Sequence, residues 1–266
     1  MNDYRFEVER EQLFRKGGVD TMYDALYRKS DGFQLSVVSR DYQLVTHAEA
    51  VNFIDDQLKT AGIKSVEHEI DLTNDGKRLK YEVRFPDYQF KVPGDTSLVE
   101  PTMKTWNSLD KSRSFILEFG NLRLVCTNGM TVGKNILQVS QIHYANQIKF
   151  AEIGPMIPQA IEMAMHDYNA HAQRLLNEEA HKYMKTLLES FPVLFLNMAA
   201  SELEHFFNFT YKLVGGIEKP VSYKKVAAMT AYELWQILTM IVSHRVVSIT
   251  KRQKLARDVA SLMRTS

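Results

Sequence analysis

The sequence predicts an α+β protein: a mainly antiparallel sheet with one packed helix, followed by a helical C-terminal region. Three observations lead there. Between residues 33 and 126, several short segments alternate apolar and polar side chains with period 2, the mark of half-buried strands. One segment among them has helical spacing and a helix-start signal at Thr46. After about residue 150 the alternation stops, and apolar residues recur every three or four positions. The expected organisation is an N-terminal arm (1–30), an α+β sheet domain (31–150) and a helical region packed on it (151–266).

Taken in order, the arm is charged and mixed, with a short helix expected over Val19–Tyr27 behind the flexible pair Gly17-Gly18. Phe33–Val45 predicts one bent strand or a hairpin. Thr46-His-Ala-Glu49 is a capping box, in which each side chain satisfies a free backbone N–H at the helix start. Ala50, Phe53, Ile54 and Leu58 follow at helical spacing. Gly62 tolerates the left-handed conformation that ends a helix, so a helix is expected over 47–61.

Ser65–Leu72 predicts a strand, and Asn74-Asp75-Gly76 a turn. In Arg78–Phe85, Leu79, Tyr81, Val83 and Phe85 face the core, while Arg78, Lys80, Glu82 and Arg84 face outward, with the three cations expected in solvent. Tyr88–Val92 continues the sheet. Pro93–Lys111 is expected to be a polar loop containing Trp106. Arg113–Phe119 and Leu122–Cys126 read as a strand pair around Gly120-Asn121, and Ile136–Tyr144 as one more strand.

Ile161, Met165, Tyr168, Ala172 and Leu175 form the stripe of a long helix ending before Pro192. Leu203, Phe206, Phe207, Tyr211 and Val214 form a second, followed by a loop at Gly215-Gly216 and Pro220. Leu234, Leu238, Ile241 and Val242 mark a third helix, and Leu255, Val259 and Leu262 a fourth.

With 266 residues, 45% hydrophobic and 24% charged, the chain can bury a sizeable core, which excludes disordered, collagen-like and coiled-coil classes. The net charge is +1, so a polyanion would have to meet a local patch. The single cysteine, Cys126, allows no intramolecular disulfide and fits a reducing compartment. The N-terminal residues lack the apolar core of a secretion signal, and the uncharged stretches 191–201 and 234–243 are shorter than the ~20 residues that span a bilayer. A cytoplasmic protein with no membrane partner is expected.

Catalytic and metal signals are weak. Glu178-x-x-His181 and Glu202-x-x-His205, with Glu162, resemble the pairing of di-iron helical proteins, but eight histidines in a glutamate-rich chain produce such pairs by chance. Cys126 with His143 could make a nucleophile and base, yet Cys126 ends an apolar run and is expected to be buried and inert. Gly129–Lys134 lacks the spacing of a phosphate loop. No catalytic residue, metal or cofactor is assigned, and a non-enzymatic protein is expected.

Basic residues interleaved with aromatics are the strongest lead. Arg78, Lys80 and Arg84 share one strand face, with Lys77, Lys91, Lys104, Trp106, Lys111 and Arg113 in adjoining turns or loops. A second cluster comprises Lys224, Lys225, Arg245, Lys251, Arg252, Lys254, Arg257 and Arg264. Within Ser222–Ser266 only Glu233 and Asp258 oppose these eight, giving a local charge of +6. Such cations neutralise phosphates, and exposed aromatic rings stack on unpaired bases. The bland alternative is a solvated helix face.

Several stretches carry a family likeness: Arg40-Asp-Tyr-Gln-Leu-Val-Thr-His-Ala-Glu-Ala-Val-Asn-Phe53, Asn121-Leu-Arg-Leu-Val-Cys-Thr-Asn-Gly-Met130 and Ile142-His-Tyr-Ala-Asn146, with a fainter echo in Thr230–Trp235 and Ser243-His244. In this order they resemble a widespread phage/plasmid-like protein family built on a domain of unknown function. Gly129 and Tyr144 stand where that family has threonine, as in a divergent member. The resemblance implies a phage or mobile-element origin and no particular reaction.

The functional expectation is a phage-type protein that binds single-stranded nucleic acid, RNA or DNA, through the sheet face, the basic C-terminal segment or both. The alternative is an assembly or protein-interaction protein whose apolar helices make a homo-oligomer.

Overall fold

The computed structural model describes residues 3–64, 66–92, 98–123, 137–145, 147–196, 198–214, 217–245 and 249–263. The chain divides into two compact units. The first comprises Met1–Gln89, Glu100–Gly120 and Asn135–Ala164, and the second Phe90–Val99, Asn121–Lys134 and Met165–Ser266. The fold is α+β, with antiparallel sheets and with helices concentrated in the C-terminal part. Among the described residues no helix is long and apolar enough to cross a membrane.

The first unit opens with an antiparallel sheet of β1 (Val8–Phe14), β2 (Asp20–Arg28) and β3 (Phe33–Ser39), in that order. β2 replaces the helix expected over Val19–Tyr27. Met22 and Leu26 mimic helical i,i+4 spacing, but as the middle strand β2 is hydrogen-bonded to a partner on each side. Leu26, Leu35, Val38, Tyr42 and Leu109 form a small core in this unit.

Helix α1 (His47–Thr60) starts as expected, with Thr46 and Glu49 forming the full capping box. Its end is also as expected, with Gly62 at φ 75°. The box joins two reciprocal hydrogen bonds, so Thr46→Ala should cost about 1 kcal/mol in a urea melt.

Strands β4 (Glu67–Thr73) and β5 (Arg78–Arg84) form the expected hairpin. The chain continues through β6 (Phe90–Lys91), β7 (Leu98–Ser108), β8 (Phe115–Arg123) and β9 (Leu137–Gln141), and the sheet order is β4-β5-β7-β8-β9, with β6 paired to β7. Leu79, Tyr81, Val83 and Phe85 are buried. The Tyr81 hydroxyl donates to Asp55 of α1 at 2.6 Å. Phe150, at the start of a short helix α2 (Phe150–Ile153), stacks on Phe53 of α1 at 4.3 Å and meets Phe115 of β8 at 5.3 Å.

Two expectations about this sheet need correction. The polar loop expected over Pro93–Lys111 is largely β7, an eleven-residue strand. It escapes a hydropathy reading because Glu100, Thr102, Thr105, Asn107 and Ser108 are buried polar residues on a strand enclosed on both faces. The strand pair expected around Gly120-Asn121 is one strand, β8, which runs through both residues and pairs with β9. Cys126 lies outside the described residues.

Helix α3 (Met156–Leu176) begins in the first unit. In the second come α4 (His181–Ser190), α5 (Pro192–Leu196), α6 (Ala200–Phe207), a hairpin of β10 (Phe209–Val214) and β11 (Ile217–Tyr223), α7 (Ala231–Arg245) and α8 (Ile249–Leu262). The single helix expected up to Pro192 is therefore two, broken at residues 177–180. The helix expected through Tyr211 and Val214 stops at Phe207, because Asn208 takes a left-handed cap at φ 50°. Pro220, expected in a loop, is paired with Tyr211 in the following hairpin.

Trp235 is central to the core of the second unit, with Tyr168, His171 and Tyr232 packed around its indole at 5.6, 4.8 and 5.9 Å. Thr230 and Glu233 form a second Thr-x-x-Glu cap at the start of α7, with Thr230 N donating to Glu233 Oε2 at 2.8 Å.

Candidate nucleic-acid interface

The outward side of β5 carries Arg78, Lys80, Glu82 and Arg84 at every second residue. Antiparallel pairing sets Asp71 and Trp106 beside Lys80, Glu69 and Lys104 beside Glu82, and Glu67 and Thr102 beside Arg84. The cations are half-buried, not solvent-exposed as expected. Each has a carboxylate. Arg78 meets Asp110 at 3.2 Å, Lys80 meets Glu82 at 2.7 Å, and Arg84 meets both Glu67 and Glu100 at 2.9 Å. Lys104 shares Glu82 at 3.6 Å.

The reason is packing. Glu100 is fully buried and Glu82 nearly so, and a buried carboxylate must be held by cations or donors. Gln89 completes the shell of Glu100 at 2.8 Å. Burial pushes the Lys104 ammonium below the usual lysine range, against the pull of Glu82. Burial alone would raise the Asp110 carboxyl, but hydrogen bonds from Ser112 and Asn74 and the charge of Arg78 hold it below the usual range.

Trp106 and Lys104 lie in β7 and not in a loop. The indole N–H of Trp106 donates to Glu118 at 3.3 Å, and the guanidinium of Arg113 lies 4.2 Å from its ring centre. This face is therefore a charge-compensated layer with little free positive potential for a phosphate.

The C-terminal segment differs. Lys224 and Lys225 begin a short 3-10 turn, Lys224–Ala228, and Arg245 closes α7. Lys225 is exposed and donates to His205 O at 2.7 Å. Lys251, Arg252, Lys254 and Arg257 lie along α8, where Leu255 and Val259 are buried and Lys254 is exposed; Met263, just past its end, is also buried. Ser261 on the same helix is also exposed. Of Lys224, Arg245, Lys251, Arg252 and Arg257 only the backbone is described, and Arg264 lies outside the described residues.

The carboxyl end of α8 is held by Arg174, whose Nη2 donates to Met263 O. The same guanidinium pairs with Glu178 at 2.6 Å, and Glu178 also accepts from the Tyr183 hydroxyl. Cations near the start of α8 oppose its dipole, so the helix itself gains nothing from them.

The two Glu-x-x-His pairs do other work. Glu178 belongs to the Arg174 and Tyr183 network, and Glu202 caps α6 by accepting Ala199 N–H at 2.9 Å. Among the described residues no group of three or more histidines, cysteines or carboxylates could hold a metal ion. His143 is buried, stacked on Tyr42 at 5.2 Å, with Nδ1 3.0 Å from Gln43 O. Its proposed partner Cys126 is outside the described residues.

Two features escaped the sequence. The acidic partners Glu67, Glu100, Asp110 and Glu118 come from other strands or turns, and only strand order brings them to the β5 row. The exposed tip of the β1–β2 hairpin was hidden by the helical spacing read into β2.

Fold and charge distribution thus define an α+β chain with one neutralised sheet face and one cationic helical segment. The chain belongs to the family of the domain of unknown function DUF932, which matches residues 34–262. The comparisons with curated proteins and with solved structures gave no match.

Proposed function

We propose that this is a non-enzymatic, phage-type protein that binds single-stranded nucleic acid, RNA or DNA, chiefly through its C-terminal cationic segment. One observation carries the reading: eight Lys and Arg against two acidic residues within Ser222–Ser266. On α8 the apolar stripe is buried while Lys254 stays in solvent. Phosphate neutralisation by such a segment is insensitive to base sequence and falls steeply with salt.

The test is a fluorescence-polarisation titration of the full chain with labelled oligouridine and oligothymidine at about 50 and 200 mM salt. Binding that weakens several-fold or more at the higher salt supports the reading. No binding to either strand at the lower salt overturns it. The assembly reading would then take its place, favoured by the exposure of Val193 (46%) and Leu196 (82%) on α5.

A further inference from the structure

The β1–β2 hairpin ends in a tip with unusual exposure. Arg15 N–H donates to Val19 O at 2.7 Å, closing a loop whose Gly17 and Gly18 sit at φ 96° and 80°. Just below it the register slips: Gln12 faces Asp24 but Phe14 faces Asp20, so β2 carries a bulge at residues 21–23. Met22 in the bulge has φ 61°, an unfavourable conformation for any residue with a side chain. Three contacts hold it: Asp20 Oδ1 accepts Met22 N–H at 2.9 Å, Thr21 Oγ1 donates to Leu13 O at 2.6 Å, and Arg40 N–H donates to Met22 O at 3.1 Å.

Four large apolar side chains in and around the bulge lie in water. Phe14 is 55% exposed, Val19 59%, Met22 61% and Tyr23 50%. A strained residue beside exposed large side chains motivates a functional hypothesis. Arg15 and Lys16 lead the tip, both exposed and with no carboxylate partner among the described residues. The nearby acid Asp20 is engaged by Arg40 at 2.6 Å, and hydrogen bonds from Met22 N–H and Arg40 hold its carboxyl below the usual range.

We infer that this tip is a second contact for single-stranded nucleic acid, with Arg15 and Lys16 taking phosphates and the exposed rings of Phe14 and Tyr23, which strand alternation sets on opposite faces of the hairpin, each open to an unpaired base. The inference rests on the nucleic-acid reading above. A lipid interior or an apolar self-contact would also cover the four apolar side chains. An apolar self-contact would have to desolvate the two cations at the leading edge, whereas a phosphate-bearing partner pairs with them. Membrane headgroups also carry phosphates, so the choice of a nucleic-acid backbone rests on the cationic segment Ser222–Ser266, and the vesicle arm below separates the two. Stacking on an aromatic ring suits any base, because every base presents a π face.

Full-chain variants decide the matter in the same polarisation assay. The Phe14→Ala, Tyr23→Ala double variant should bind both strands roughly tenfold more weakly with the salt slope unchanged. Tyr23→Phe, which keeps the ring, should bind like the parent. The Arg15→Glu, Lys16→Glu variant should lower the salt slope by about 0.7 per lost phosphate contact. Its substitutions are on exposed side chains, so it keeps the test readable if the aromatic variant does not fold. A parent that binds while both double variants bind equally well overturns the tip and leaves the C-terminal segment standing. A parent that binds neither strand overturns both. Tip-dependent binding to anionic vesicles, with nucleic-acid affinity unaffected by the tip variants, also overturns the inference in favour of a membrane contact.

Discussion

Between about pH 7 and pH 5 the protein is expected to lose roughly 2 kcal/mol of stability through His47 alone. His47 is buried at the start of α1. Its Nε2 lies 2.9 Å from Gly76 O, and its Nδ1 lies 3.1 Å from the side-chain nitrogen of Asn107, which also donates to Val45 O at 2.9 Å. The network assigns the proton to Nε2, which donates to Gly76 O, and leaves Nδ1 accepting from Asn107. A second proton on Nδ1 would face a donor in a dry site. Burial accordingly pushes the imidazole down to about 4.

The sign follows from linkage. The unfolded chain takes the proton near pH 6.5 while the folded chain refuses it, so stability is full above about 6.5 and declines as pH falls toward about 4. Two neighbours matter: the charge of Asp110 opposes the effect and proximity to His143 favours it. His143 is itself pushed down by burial, so its contribution has the same sign. Urea melts at a series of pH values should show the slope, and a His47→Gln variant should flatten it. An unchanged slope in that variant would remove His47 as the cause.

The larger effect on binding is expected at α8. Reversing Lys251 and Lys254 to glutamate should weaken single-strand affinity by several tens-fold at about 50 mM salt and flatten the log–log salt slope by about 1.4. At exposed Lys254 the substitution should change stability by no more than about 0.5 kcal/mol. A variant that keeps the parent's affinity and slope would exclude this helix as the principal contact.

How much of this was legible in the sequence differs from element to element. Local signals were reliable where chemistry within four residues decides the outcome. The Thr46/Glu49 cap, the Asn74-Asp75-Gly76 turn and the core-facing row Leu79, Tyr81 and Val83 of β5 are present as expected, although the cations of the opposite row are half-buried rather than in solvent. Signals failed where long-range pairing decides. β2 carries helix-like spacing yet becomes a middle strand, and β7 holds buried polar residues that only neighbouring strands make tolerable. For the candidate site, the residue types were readable but their partners were not. Nothing in the local pattern around Arg84 says that Glu100, sixteen residues on, is fully buried beside it. The excess of cations in Ser222–Ser266 needed no such knowledge, because a charge imbalance survives any pairing in the interior.

The contact of Arg174 with the carbonyl of Met263, just past the end of α8, bears on the entropy of recognition. A helix anchored only by an apolar stripe can roll and fray, and a charged array on it must be ordered afresh with each encounter. Here a guanidinium from α3, itself braced by Glu178, closes the carboxyl end of α8 at Met263 O. Under the nucleic-acid proposal, this contact ties down the carboxyl end of the helix in the folded chain, before a polyanion would bind. Less rotational freedom then remains to be surrendered on association, so modest individual attractions can sum to a useful affinity.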